Sequence, residues 1–532
     1  MDPASIVRKG CPVKLVCPQD GKAILWTGLA VGDRNRSVSD GGTDVPANEF
    51  PSSWRNELMR FTITLTAATD DRPTSGISIA VIERDDDTLT IDDLGLRIAE
   101  SKRLLAALQL AVVQTQALDW CRRQRACPCC GSARQIKDHR SIMVRTPFGK
   151  IAVPSTRFRR CTCKPTAGIA APIVAALPER VTPDLLELEA RWASLASYGI
   201  TAERLADVLP IGDAINATTI RQDTLRVAER LEAELGTERR CFIEGCEADW
   251  TDGPLPGPPV TVGIDGGYVR SWYDRPNNFE VIVGKSVVDP GEDGEISEPT
   301  RRFGFVVGHD DRPRRRLHEL LLEQGVGMDR EITFMSDGGR NVRNLQWDMR
   351  PNAEHVLDYF HIAMRVTVMQ QIARGLPPPS ETDKDVAVAT LERVRHFLWH
   401  GNWRRALDLI GDVETRMLGA TDPDVTDEPM SHPQVSPQAR NLLKHLREFE
   451  SYISANASMI PNYGERRRYG EAVSTAFVES TVNQVVAKRF AKKQQMQWTP
   501  RGVHLLVQLR VRTLDGTLAN DFQRWRDERK AA

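Results

Sequence analysis

Three acidic residues, distant in the chain, stand where metal chemistry is plausible. Asp265 follows Val260-Thr261-Val262-Gly263-Ile264 and precedes Gly266-Gly267. The apolar, β-branched run reads as a strand opening a new domain after the Pro/Gly-rich stretch 253–259. Gly266-Gly267 reads as a turn and 268–273 as the return strand of a hairpin. A carboxylate ending a buried strand is costly unless paired or metal-bound, although an Asp before Gly-Gly also serves turn chemistry alone. The same grammar recurs at 331–339, where Ile332-Thr333-Phe334-Met335-Ser336 runs into Asp337-Gly338-Gly339. Two strands delivering carboxylates can converge on one divalent cation, and hard cations such as Mg²⁺ take oxygen ligands. A third carboxylate is then expected on a later helix. Glu479, in Phe477-Val478-Glu479-Ser480-Thr481-Val482-Asn483, is the best candidate, with Glu471 as its rival.

The second set of candidate ligands is sulfur. Of ten cysteines, Cys127-Pro128-Cys129-Cys130-Gly131 is answered by Cys161-Thr162-Cys163, with a hairpin-like stretch at 142–153 between them. Two cysteine knuckles held by a hairpin have the layout of a zinc ribbon, and four thiolates close a tetrahedral Zn²⁺ site. The expected ligands are Cys127, Cys130, Cys161 and Cys163. Cys129 is a possible substitute, and reduced cysteines in a compact hairpin are the alternative. Cys11 and Cys17 read as structural or free thiols, and Cys241 and Cys246 have no partner pair close in sequence.

Residues 182–235 read as helix (185–196), break, short helix (202–209, capped by Thr201), turn, and a longer amphipathic helix opening at Asn216. That order fits a helix-turn-helix whose last helix enters a major groove, with Thr218, Thr219, Arg221, Gln222 and Arg226 as candidate DNA contacts. An ordinary three-helix bundle is the alternative. Dense basic runs at Arg466-Arg467-Arg468 and Lys488-Arg489-Phe490-Ala491-Lys492-Lys493 lie near Glu479. At helical spacing, Asn483, Val486 and Phe490 share the face of Glu479 while Lys488 lies opposite. Lys488, Arg489, Lys492 and Lys493 are therefore candidate phosphate contacts. Trp399 and Trp403, four apart, read as core.

The chain has 532 residues, a net charge of −1, 41% hydrophobic and 27% charged residues. Such a composition is ordinary for a globular chain and excludes a uniformly basic nucleic-acid binder. No apolar run has the length of a membrane span and Met1-Asp2-Pro3-Ala4 opens no signal-peptide core, so the expected location is cytoplasmic. The expected fold is multi-domain α/β. A small β-rich domain (1–92) leads into a long helix from Leu94 to about Arg125 and a zinc-ribbon-like hairpin (93–175), then a helix-turn-helix-like region (176–250). Strands near 279–288 and 303–307, a helix at 314–325, the strand before Asp337 and a short strand at 356–361 suggest a ribonuclease-H-like mixed sheet (258–360). The interval from Asp337 to Glu479 is too long for a bare core of that kind. A largely helical insertion (361–460) is expected before the core is completed (461–532).

Asp265-Gly266-Gly267-Tyr268-Val269, Phe279-Glu280-Val281-Ile282-Val283-Gly284, Ser336-Asp337-Gly338-Gly339, Leu357-Asp358-Tyr359-Phe360-His361-Ile362, Val478-Glu479-Ser480, Lys488-Arg489 and Met496-Gln497-Trp498 appear in that order. In this combination the sequence resembles the ISKra-type DDE transposases of bacterial insertion sequences, from about residue 90 to the C-terminus. The resemblance implies a catalytic triad of Asp265, Asp337 and Glu479, holding two Mg²⁺ or Mn²⁺ ions. It also implies double-stranded DNA as substrate and target, and strand cleavage with transfer at element ends. Assembly on DNA would be as a homo-oligomer, with zinc in a structural role. A ribonuclease-H-like nuclease or junction resolvase without strand transfer is the enzymatic alternative. A zinc and helix-turn-helix DNA-binding regulator is the non-catalytic one. The resemblance assigns Asp358 and His361 no role beyond shaping the site.

Overall fold

The computed structural model describes residues 58–69, 72–73, 76–85, 90–163, 166, 168–212, 215–235, 257–274, 276–288, 299–327, 330–350, 352–376, 381–418, 436–491 and 497–531. Cys11, Cys17, Cys241, Cys246, Lys492 and Lys493 lie outside the described residues, as does most of the expected N-terminal β domain. The chain divides into two compact units, 1–133 and 134–532.

In the first unit, β1 (Leu58–Leu65) pairs antiparallel with β2 (Ile77–Asp85). Helix α1 (Ile98–Arg123) follows, and Glu100 on its first turn receives a bidentate grip from Arg84. The Arg84 guanidinium and the Arg97 backbone hold the Glu100 carboxyl down to about 2. At the unit's end, the Gly131 amide closes a turn onto the Cys127 carbonyl (2.9 Å), with Gly131 at φ +72°.

The second unit opens with the hairpin β3 (Ile136–Thr146) and β4 (Gly149–Phe158), longer than the sequence alone suggests. Helices α2 (Pro183–Leu195), α3 (Tyr198–Val208) and α4 (Ala217–Ala233) follow. The cap of α3 is Ser197, whose hydroxyl accepts from Ile200, and not Thr201, which lies inside the helix and is fully buried. Asn216 caps α4 by accepting from Thr219 at 2.9 Å.

A five-stranded mixed sheet follows, built from β5 (Val260–Arg270), β6 (Asn278–Val288), β7 (Arg302–Val306), β8 (Ile332–Ser336) and β9 (Glu354–Leu357). Its order is β9-β8-β5-β6-β7, with β5, β6 and β7 antiparallel and β8 and β9 parallel to β5. Helices α5 (Pro313–Glu323) and α6 (Arg340–Met349) bury Leu317, Leu320, Val342 and Leu345 with Val262, Ile264 and Phe334 on one side.

Gly266-Gly267 is no turn. Strand β5 runs unbroken through it, and the hairpin closes at 271–277. Glycine is needed there because a helix packs directly on the strand: a Cβ at Gly267 would lie 2.9 Å from Val482 Cγ1. Asp265 is therefore mid-strand, not terminal.

Helices α7 (Tyr359–Arg374), α8 (Glu381–Trp399), α9 (Trp403–Leu418) and α10 (Pro437–Ala455) pack around one core. Gly401, at φ +74°, breaks the chain between Trp399 and Trp403, so the two indoles sit on successive helices. Trp399 packs edge-on against Tyr359 (4.6 Å) and both indoles join the helical core. Helix α11 (Ala476–Val482) continues into wider i→i+5 turns over Asn483–Ala491, and α12 (Pro500–Leu514) and α13 (Leu518–Ala531) end the chain. Buried residues of α2, α4, α12 and the sheet face carrying Val269, Val281 and Val283 form one apolar cluster. The helical region 183–233 is thus built into this unit, not hung from it. Among the described residues no helix is long and apolar enough to cross a membrane.

Candidate functional site

Strand register places the acids. Ser336 of β8 is level with Ile264 of β5 and with Leu357 of β9. Asp265, Asp337 and Asp358 are each the next residue, so they form a row across three neighbouring parallel strands. Alternation puts Asp265 on the strand face that also carries Gly263 and Gly267. That face is covered by α11 and its extension: Phe477 and Val478 lie against Gly263, and Val482 and Val486 against Gly267. Glu479 rides on this helix beside Val478, which is how a residue so late in the chain reaches the strands.

Each element is held. Gly339 donates to Asp337 Oδ1 (2.8 Å) and Gly266 to Asp265 Oδ1 (2.7 Å), so one oxygen of each Asp is fixed by backbone. Two tyrosines clamp the strand ends. Tyr452 donates to the Asp337 carbonyl (3.0 Å) and Tyr463 to the Leu357 carbonyl (2.7 Å). Burial raises both phenols, Tyr452 and the fully buried Tyr463, so both stay donors. These two hydroxyls thus support the floor of the site.

Electrostatically the site is anionic. Among the described residues no Lys or Arg forms an ion pair with Asp265, Asp337 or Glu479. Burial pushes the Asp265 carboxyl up to about 6, and the charges of Asp337 and Glu479 push the same way; the Gly266 hydrogen bond and His361 oppose them. His361 is raised by its hydrogen bond to Asp358, and Asp358, Asp337 and Asp265 add to the effect. Asp358, His361 and Glu479 each bring a ligand atom within 4.8 Å of the others. Sequence reasoning gave Asp358 and His361 no role. Their i, i+3 spacing at a strand-to-helix junction is the signal that was available.

The rival Glu471 is exposed and pairs with Arg466 (3.1 Å). Arg466 itself is buried and also bonds Glu354, so this part of the basic run is structural. Arg489, expected at the phosphate-facing surface, is instead buried at 8% exposure. It donates to the Ala193 carbonyl (3.2 Å) and its guanidinium stacks between Tyr198 (5.3 Å) and Trp498 (5.1 Å). Cation–π contact and packing take it off the surface, whereas Lys488 is exposed.

On α4, Thr218, Arg221, Gln222 and Arg226 are exposed and Thr219 is half-buried, while Ile220, Asp223, Thr224, Val227 and Ala228 face the core. The candidate contacts therefore share the outward face. Arg226 is tethered to Asp223 (2.7 Å), which with buried Glu189 also holds Arg145. Burial pushes the Glu189 carboxyl up to about 8. Cys127 and Cys130 of the first unit and Cys161 and Cys163 of the second are reduced. No protein-family model matches the chain, and no curated protein matches it.

Proposed function

We propose that this protein is a DDE-type DNA transposase, with a ribonuclease-H-like core whose working carboxylates are Asp265, Asp337 and Glu479. The observation that carries the reading is the gathering of unpaired carboxylates. Asp265 and Asp337 follow level positions on adjacent strands, Glu479 is carried by a helix packed on the Asp265 strand, and no described Lys or Arg pairs with the three. The donor set is all oxygen and fits a hard divalent ion, Mg²⁺ or Mn²⁺. Such a cation pair, when bound, activates the attacking oxygen and stabilises the leaving one. The chain's own part is to hold and orient: backbone amides fix one oxygen of each Asp and leave the other for a ligand. In the first step a water oxygen bonds to phosphorus, the P–O3′ bond breaks, and O3′ leaves with a proton as a 3′-hydroxyl. In the second, that 3′ oxygen bonds to a target phosphorus and displaces the target's own 3′ oxygen. No protein nucleophile is required.

Recognition of the duplex falls to the outward face of α4 and to exposed basic residues such as Lys488, which neutralise phosphates without reading sequence. Exposed Tyr268 and Arg270 on the strand that carries Asp265, and Trp272 just beyond its end, set aromatic beside basic at the tip of the β5–β6 hairpin. This is the surface composition that stacks unpaired bases. Zinc in a structural role, as the cysteine spacing of the sequence implies, belongs to the same proposal.

The test is a supercoiled plasmid carrying the coding region with its natural flanks, incubated with purified protein and Mg²⁺ or Mn²⁺. Cation-dependent breaks at defined flanking positions and joined products that need a 3′-hydroxyl are expected. Breaks without joining would mark a resolvase-like nuclease, and binding without breaks a regulator. Two further outcomes are expected here. Arg221→Ala weakens duplex binding uniformly and lowers the slope of log affinity against log salt by about 1, read by fluorescence anisotropy. Cys163→Ser lowers the zinc content of the purified protein, read by elemental analysis, with the circular dichroism of the rest retained.

A further inference from the structure

We propose that His361 is a working residue of the site, supplying a ring nitrogen to the same cation seat as Glu479, with Asp358 as its holder. The inference deepens the proposed function and rests on the cation seat, not on DNA as the substrate.

Asp358 is fully buried, and its carboxylate is already used. Oδ1 accepts from the Phe360 amide (2.8 Å); Oδ2 accepts from the Thr475 hydroxyl (2.5 Å) and meets His361 Nδ1 (2.7 Å). An acid so engaged is a poor outward ligand and a good clamp. With Nδ1 facing a carboxylate, the neutral ring carries its proton on Nδ1, and Nε2 is then the nitrogen with a lone pair for a cation that displaces any second proton. Nε2 makes no hydrogen bond among the described residues. A histidine whose other nitrogen donates to a carboxylate is the usual form of a metal-binding imidazole.

The same clamp reaches the third carboxylate. Thr475, held by Asp358, caps the helix of Glu479, whose amide donates to the Thr475 carbonyl (2.9 Å). Asp358 thus fixes His361 directly and Glu479 through one helical turn, and the ligand atoms of all three lie within 4.8 Å. The ring also lies close enough to Asp265 and Asp337 to feel both charges. A seat that mixes one imidazole with carboxylates favours Mn²⁺ and later first-row ions over Mg²⁺, because nitrogen is a better donor to them.

The experiment uses the full chain without DNA: calorimetric titration with Mn²⁺ and with Mg²⁺, and pulsed electron paramagnetic resonance of the bound Mn²⁺. Wild type is expected to bind Mn²⁺ more tightly than Mg²⁺ and to show ¹⁴N coupling on the bound ion. His361→Ala, which leaves a half-buried surface position, should lose the coupling and about tenfold in Mn²⁺ affinity, with a smaller loss for Mg²⁺. Thr475→Val should weaken Mn²⁺ in the same direction but less, and retain the coupling. Absence of ¹⁴N coupling in wild type, absence of Mn²⁺ binding, or unchanged binding by a folded His361→Ala protein would each overturn the proposal. Nitrogen coupling together with failure to break DNA would leave it standing and overturn the transposase reading instead.

Discussion

Replacing Asp265 by Asn is expected to abolish cation-dependent DNA cleavage, by at least about a thousandfold, while making the cation-free protein more stable. Both effects come from one cause. The carboxyl is pushed from its ordinary 3.8 up to about 6 by burial, with help from Asp337 and Glu479. Its charged form therefore opposes folding, and its value to the protein lies in binding something positive. The sign is that of a raised acid: without cation, stability is lower above about pH 6 and rises as pH falls from 6 toward 3.8. Asn removes this dependence and is expected to add about 2 kcal/mol at pH 7. With cation present the order reverses, since only the charged wild type gains from binding. Cleavage should decline as pH drops through about 6, because protons then compete with the cation. Thermal melts of wild type and Asp265→Asn at pH 5 and 7, with and without Mn²⁺, check all of this; an apo-protein no more stable at pH 7 than wild type would contradict it.

A single methyl group at Gly263 is expected to be nearly as damaging. Its added Cβ would overlap Val478 Cγ2 and come within 2.6 Å of Phe477 Cζ, both on the helix of Glu479. Val478 is fully buried and β-branched, so it has little room to turn aside. The helix must lift from the strand, at about 1–3 kcal/mol of stability. Displacing Glu479 by about an ångström should lower the cleavage rate about a hundredfold. Gly263→Ala should melt as a folded protein and bind duplex DNA as wild type does. Unchanged cleavage by the variant would mean that Glu479 does not need this contact.

The candidate site was legible in the sequence where hydrophobic pattern and acid type coincide. An apolar run ending in Asp-Gly-Gly is read correctly at Asp337, where β8 does end, and a helix bearing Glu479 is read correctly from its apolar spacing. At Asp265 the same letters meant something else. Gly266-Gly267 carries a turn signal locally, but the packing of Val482 and Val486 onto the strand is a long-range demand for small residues, invisible in a short window. Thr201 looked like a cap because a hydroxyl before an apolar run resembles one; Ser197, four positions earlier, takes the role because α3 begins sooner. Arg489 belongs to a basic run by composition, yet Tyr198, far away in sequence, and Trp498 enclose it. Asp358 and His361 needed the sheet order, since only the register of β9 against β8 puts them in line with Asp337. The helices at 359–455 are visible as periodicity, but the support of the site by the hydroxyls of Tyr452 and Tyr463 is not.

The most direct measurement is single-turnover cleavage of DNA carrying the natural flanks, followed across a Mn²⁺ titration for wild type, Asp265→Asn, Asp337→Asn and Glu479→Gln. Wild type should show saturable, Mn²⁺-dependent cleavage that is lost in all three variants, each still folded and still binding the duplex. Cleavage that persists without a divalent ion, or that survives any of the three substitutions at the wild-type rate, would contradict it.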